Sequence, residues 1–244
     1  MRTEHVTYEA DGCKMESRFF IDDSIAGKRP GVLVFPEAFG LGDHALDRAR
    51  RLAELGYAAL ACDLHGEGAE HSDIATVMEL LGPLQADSDR SRARARGGLD
   101  ALTARPEVDT ARIAAIGYCF GGTMALELAR SGAEIAGVVG FHCGLGTSRP
   151  DDAGCIKGKI LVCIGADDPS VGADQRAAFE AEMGEAKVDW QLHVYGGVVH
   201  SFTSPAADQR GAPAFARYDI AADRRSWAAM QTLFEELFGL PAGA

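Results

Sequence analysis

Residues 117–121 read Gly-Tyr-Cys-Phe-Gly. A thiol bracketed by glycines in this spacing matches a nucleophile elbow with sulfur in place of the usual serine oxygen. Such an elbow holds its nucleophile in a strained backbone conformation, and the flanking positions must lack a Cβ so that a helix can start close to the preceding strand. The apolar run before Cys119 and the amphipathic "TMALELARSG" after it supply that strand and helix. The helix N-terminus then lends partial positive charge to a thiolate and to a developing oxyanion.

A nucleophile of this type needs a base, and the base needs a carboxylate to orient it, in the chain order nucleophile, acid, histidine. Downstream of Cys119 stand His142, His193 and His200. His193 lies inside the strand-like "WQLHVY", which suits a structural role. His142 ends an earlier strand, before any plausible acid. His200 follows the last strand in "YGGVVHSF" and is correctly placed in order. Between them, "LVCIGADD" runs a buried strand into Asp167 and Asp168. Adjacent residues point in opposite directions, so only one can face the histidine. Three rival readings use the same residues. Cys119 is a packed small hydrophobe, as free cysteine usually is. Alternatively it is a redox-responsive thiol, although no CxxC partner accompanies it. Or the chain is a non-catalytic small-ligand-binding member of its fold.

The elements that must position these groups follow from periodicity. "EHVTYEA" and "KMESRFFID" read as a hairpin across Asp-Gly. From residue 31 onward, apolar strands alternate with amphipathic helices, which predicts a mostly parallel central sheet with helices on both faces. Right-handed crossovers place the strand C-termini along one edge, where ligands bind in open sheets. Residues 65–87 read as irregular, then weakly helical. The basic run "DRSRARAR" reads as the solvated face of a helix over residues 88–104. A closing helix carries Trp227, Met230, Leu233, Phe234 and Leu237 on one stripe.

The chain has 244 residues, 47% of them hydrophobic, which suits one α/β domain over residues 1–244. A net charge of −12 disfavours nucleic-acid and acidic-membrane partners. No secretory signal is visible, and no run approaches the roughly 18–20 apolar residues of a membrane span. The six cysteines form no CxxC pair and no zinc pattern. A cytoplasmic location with reduced thiols, and no metal or cofactor, is the expectation.

Taken together, "PEAFGL", "GYAALACDL", "IGYCFGG", "GADD" and "GGVVHSF" resemble the dienelactone hydrolase family over about residues 4–238. The resemblance implies an α/β-hydrolase fold and a Cys–His–Asp triad. The family aspartate falls on Asp168 by its spacing from the glycine, completing the triad with Cys119 and His200. It also implies that Glu37 interacts with the resting thiol and helps ionise it. The oxyanion hole falls on the backbone N–H groups of Ala38 and Phe120. Phe39, His142 and Ser204 are candidate pocket residues, and His142 reads equally as a hydrogen-bonded histidine at a strand end. The activity implied is hydrolysis of a small carboxylic ester or enol lactone, by a monomer or homodimer. One departure stands out. In dienelactone-cleaving relatives an arginine follows the histidine in "HSFAR" and grips the substrate carboxylate. Here the text is "HSFTSP", with Ser204 at that place; Arg90, Arg92 and Arg210 are candidate substitutes.

Overall fold

The computed structural model describes residues 1–239. Two antiparallel strands open the chain, β1 (Arg2–Ala10) and β2 (Cys13–Ile21). Asp11 and Gly12 both have positive φ, 50° and 69°, which turns the hairpin in the direction that matches strand twist. There follow β3 (Arg29–Phe35), α1 (Asp43–Glu54), β4 (Ala58–Ala61), α2 (Ile74–Ala86), α3 (Ser88–Thr103), β5 (Val108–Tyr118) and α4 (Phe120–Arg130). The chain continues through β6 (Gly137–Phe141), β7 (Lys159–Gly165), α5 (Ala173–Glu185), β8 (Trp190–Tyr195) and α6 (Ile220–Phe238). The eight strands form one sheet in the order β1-β2-β4-β3-β5-β6-β7-β8, parallel from β4 onward. This is the α/β-hydrolase architecture anticipated above.

Alternation along the strands sorts the core into two layers. In β3, Leu33 and Phe35 join one cluster with α3, α4 and α5, through Leu99, Met124 and Phe179. Val32 and Val34 join the other, with Leu52 of α1 and Trp227, Met230 and Phe234 of α6. Fully burying one such side chain contributes about 1.5–3 kcal/mol, so two layers of this size hold the sheet without a disulfide. All six cysteines are free. No helix among the described residues is long and apolar enough to cross a membrane.

Residues 65–87 are irregular and then helical, as their sequence reads, whereas the basic run of α3 differs from its reading. α2 is a continuous helix despite Gly82 and Pro83, capped by Asp73, whose carboxylate accepts from Thr76 N–H. It is fixed by Val77, Leu81 and Leu84 packing into the core. The basic run on α3 is not a solvated face. Arg94 is buried, donates to Leu64 O at 2.6 Å and pairs with Asp11, which Arg90 also holds. Arg92 bridges Glu127 of α4 and Asp152. The arginines therefore tie α3 to the β1–β2 turn and to α4, and neither Arg90 nor Arg92 is free to receive a substrate anion.

Candidate active site

The turn between β5 and α4 places Cys119 at φ 53°, ψ −124°. A side chain in this region costs of order 1–3 kcal/mol and persists only where its surroundings enforce it. The enforcing contacts are close backbone approaches. A Cβ on Gly117 would lie 2.1 Å from Gly121 O, and one on Gly121 would lie 2.2 Å from Pro36 O. Only glycine at both positions lets α4 begin against β5 with the thiol at the apex. His142 (φ 39°) and Ser201 (φ 53°) share the positive-φ region, so three of the six such non-glycine residues among those described cluster at this edge.

Asp168 and His200 converge here from the ends of β7 and β8. His200 Nδ1 lies 2.7 Å from Asp168 Oδ2. Ser170 pins the carboxylate from behind, donating to Asp168 Oδ1 through its N–H (2.8 Å) and its hydroxyl (2.6 Å). Asp168 is 3% exposed, whereas Asp167 faces solvent, so the choice between the two falls on Asp168. With Nδ1 engaged, Nε2 is the nitrogen left for Cys119. Burial works against a charged imidazole, but Cys119 and Asp168 outweigh it and push His200 up to about 10. Against the same opposing burial, His200 and Ser170 hold the Asp168 carboxyl below its ordinary range.

Of the two readings of His142, pocket wall or hydrogen-bonded histidine at a strand end, the geometry fits the second: it stands behind the thiol and is fully buried. Its Nδ1 accepts the Cys119 backbone N–H at 3.2 Å, which leaves Nε2 to donate to Thr203 Oγ1 at 2.7 Å. Burial drives its pKa well below the usual histidine value, so it is neutral at pH 7. Thr203 O accepts from Arg48 of α1 at 2.7 Å, and Arg48 is paired with Asp223 of α6 at 2.8 Å. A hydrogen-bonded chain thus runs from α6 through the His200 loop to the elbow backbone.

Glu37 follows β3 and is 6% exposed. It accepts from Ser201 Oγ at 2.6 Å and pairs with Arg210. Among the described residues no hydrogen bond joins it to Cys119, so the thiol contact implied by family resemblance is replaced here by an ion pair. Burial opposes its charge; His44, His142 and Arg210 overcome this and hold it at about 2. Since burial also drops His44 to about 4, Arg210 is the standing cation at pH 7. Arg210 lies 4.4 Å over the Phe39 ring and reaches Ser201 Oγ at 3.1 Å and Ser204 Oγ at 3.5 Å. Of the three candidate arginines, it alone arrives at the site.

The Ala38 loop is braced by His65, whose Nε2 lies 2.8 Å from Ala38 O, and by a turn bond from Gly40 N–H to Glu37 O. Phe120 opens α4, where a helix leaves its first N–H groups without internal partners. Two hollows open near the elbow, one on the Glu37 side and one on the Phe120 side. One, about 570 Å³, is lined by Glu37, Phe39, His44, His71, Ser204 and Arg210, among others. The other, about 460 Å³, is lined by Phe120, Thr123, Ser88, Ser91, Thr147 and Ser148, among others. The first is charged; hydroxyl groups dominate the second.

His44, Thr203, Ser201 and Ser170 escaped the reading of the sequence. Only Ser170 carried a local signal, as the residue two beyond an aspartate, where a side-chain turn forms readily.

The model of the dienelactone hydrolase family matches residues 15–238. A Bradyrhizobium protein named "Probable 2-oxo-3-(5-oxofuran-2-ylidene)propanoate lactonase" is 28% identical over 188 residues, 73% of this chain and 75% of its own. A crystal structure described as a dienelactone hydrolase-like promiscuous phosphotriesterase from metagenomic libraries is 48% identical. It superposes with a TM-score of 0.93 over 98% of this chain and 99% of its own. A Klebsiella pneumoniae structure described as a "Putative Dienelactone Hydrolase" shares the fold, with a TM-score of 0.82 at 24% identity, over 96% of this chain and 98% of its own.

Proposed function

The chain belongs to the dienelactone hydrolase family and is a hydrolase, and we propose that it cleaves a carboxylic ester or enol lactone with Cys119 as nucleophile. The observation that carries this reading is the 2.7 Å His200–Asp168 contact beside a thiol held at a strained elbow. The Cys119 thiolate attacks the carbonyl carbon and forms a C–S bond. The carbonyl oxygen becomes an oxyanion facing the Ala38 and Phe120 N–H groups. Collapse breaks the C–O bond, and the leaving oxygen takes a proton from His200. Water then attacks the thioester, His200 accepts its proton, and the acid departs as the thiolate is restored.

The thiolate is itself a good leaving group, so the first intermediate partitions backward unless the substrate oxygen leaves easily. Enol lactones and aryl esters are therefore the favoured class, and simple alkyl esters are slow. A panel of enol lactones, aryl, alkyl and thiol esters, with mass-spectrometric trapping of an acyl group on Cys119, tests this. Fast turnover of alkyl esters, or acylation elsewhere, refutes it.

Arg210 takes the part of the arginine absent at Ser204. A substrate carboxylate that captures Arg210 would also release Glu37 toward the thiol. Replacing Arg210 by alanine is expected to raise KM for carboxylate-bearing lactones by about 10-fold or more, as loss of a charge-assisted contact does. KM for neutral aryl esters should change little; an equal effect on both classes argues for a merely structural arginine.

The name of the 48% identical relative supports a second substrate class, phosphotriesters, of which those with an aryloxide leaving group suit a thiolate nucleophile. There the thiolate would form an S–P bond, expel aryloxide, and be freed by water. A redox role is less favoured: Cys143 packs beneath the elbow at Gly122, but burial pushes its pKa far above the ordinary thiol value, which makes it a poor resolving partner.

A further inference from the structure

A small cavity of about 110 Å³ lies at the edge of the sheet opposite Cys119, where β3 begins and α6 ends. Its lining includes Lys28, Arg29, Tyr57, Arg112 and Phe238, three cations and, among the described residues, no carboxylate. That is a marked local excess in a chain of net charge −12. Arg29 is the telling member. It is 5% exposed, and its Nε and Nη1 have no hydrogen-bond partner among the described residues. A guanidinium stays charged when buried, and a desolvated cation without a partner is costly. The nearby acids make no hydrogen bond to Arg29, although Asp22 lies close enough to feel its charge. Asp109 holds Arg112 at 2.7 Å, while Asp22 accepts from Ser24 N–H and faces the chain's N-terminal amine.

We propose that this cavity binds a small tetrahedral oxyanion, phosphate or sulfate, that neutralises Arg29. The volume suits one such ion and leaves no room for a nucleotide. Lys28, exposed, and Arg112, partly so, would guide the ion in, and Arg29 would hold it. Because the site sits at the far edge of the sheet, occupancy stabilises the fold and leaves the hydrolytic step alone.

The test is a thermal melt of the full chain against rising potassium phosphate, with sulfate and ionic-strength-matched chloride in parallel arms. A saturable rise in Tm of about 3 °C is expected with phosphate or sulfate, without a change in kcat. Arg29→Met should melt at or above the wild type in the absence of phosphate, since an unpaired buried charge is gone, and should not respond to phosphate. If Arg29→Met fails to fold, the Lys28→Ala/Arg112→Gln pair should still weaken the phosphate response about 10-fold. An equal rise with chloride, no rise with phosphate or sulfate, or an undiminished response in these variants overturns the proposal.

Discussion

Cys119→Ala is expected to lower kcat on an activated ester by at least about 10³-fold with the melting temperature nearly unchanged. The size follows from what the thiol supplies. Removing the nucleophile leaves only the oxyanion donors and binding, which typically retain a rate of about 10³–10⁴ over water. The near-neutral stability follows because alanine keeps the Cβ and accepts the same backbone contacts at φ 53°. Cys119→Ser sharpens the experiment. An alcohol at this position is a far weaker acid and nucleophile than a thiol, while the shape is kept. Steady-state kinetics with both variants, and loss of acyl-enzyme in the mass spectrum, give the check. Turnover within 10-fold of wild type in Cys119→Ala would remove the thiol from the mechanism.

Asp168→Asn should cost on the order of 10³–10⁴ in kcat. The carboxylate now accepts from His200 Nδ1 at 2.7 Å and fixes the tautomer with Nε2 toward Cys119. An amide can present its NH₂ to Nδ1 instead, which turns the imidazole proton to the wrong side. The pH profile should report the same change. Burial lowers the His200 pKa, but Cys119 and Asp168 raise it overall to about 10. A raised pKa means the imidazolium form persists from acid up to that value and is lost as pH rises through it. The imidazolium of the free enzyme, and with it kcat/KM, should therefore be lost only near pH 10 in the wild type. In Asp168→Asn the alkaline limb should move toward lower pH. An unmoved limb would mean that Asp168 does not act on His200.

The elbow and the order of acid and base were legible because each is a local pattern: glycines around a thiol, aspartates closing a buried strand, a histidine just past another. Arg210 was legible only as a name among three. What selects it is the path of the loop after His200, which brings residues 173 positions apart into one ion pair. The same holds for His142. Its identity was plain, but its hydrogen bond to the Cys119 N–H depends on β5 and β6 lying side by side in register, Tyr118 beside Phe141. The basic run of α3 misled because charge alone does not reveal its partners. Asp11 and Glu127 come from distant segments, and their pairing with Arg94 and Arg92 converts an apparent surface stripe into an anchored face.

The backbone at Cys119 sets the needs of the fold against those of the chemistry. At φ 53° and ψ −124°, glycine is the comfortable residue, and the elbow presses for it. Cys119→Gly should therefore melt above the wild type while being catalytically dead. A gene copy released from selection for activity would thus gain robustness by discarding the thiol, whereas losing Gly117 or Gly121 would break the frame. With Cys119 as the proposed nucleophile, the cysteine is the residue that selection for turnover would maintain, and its glycine neighbours are the ones that stability would preserve in an inactive descendant.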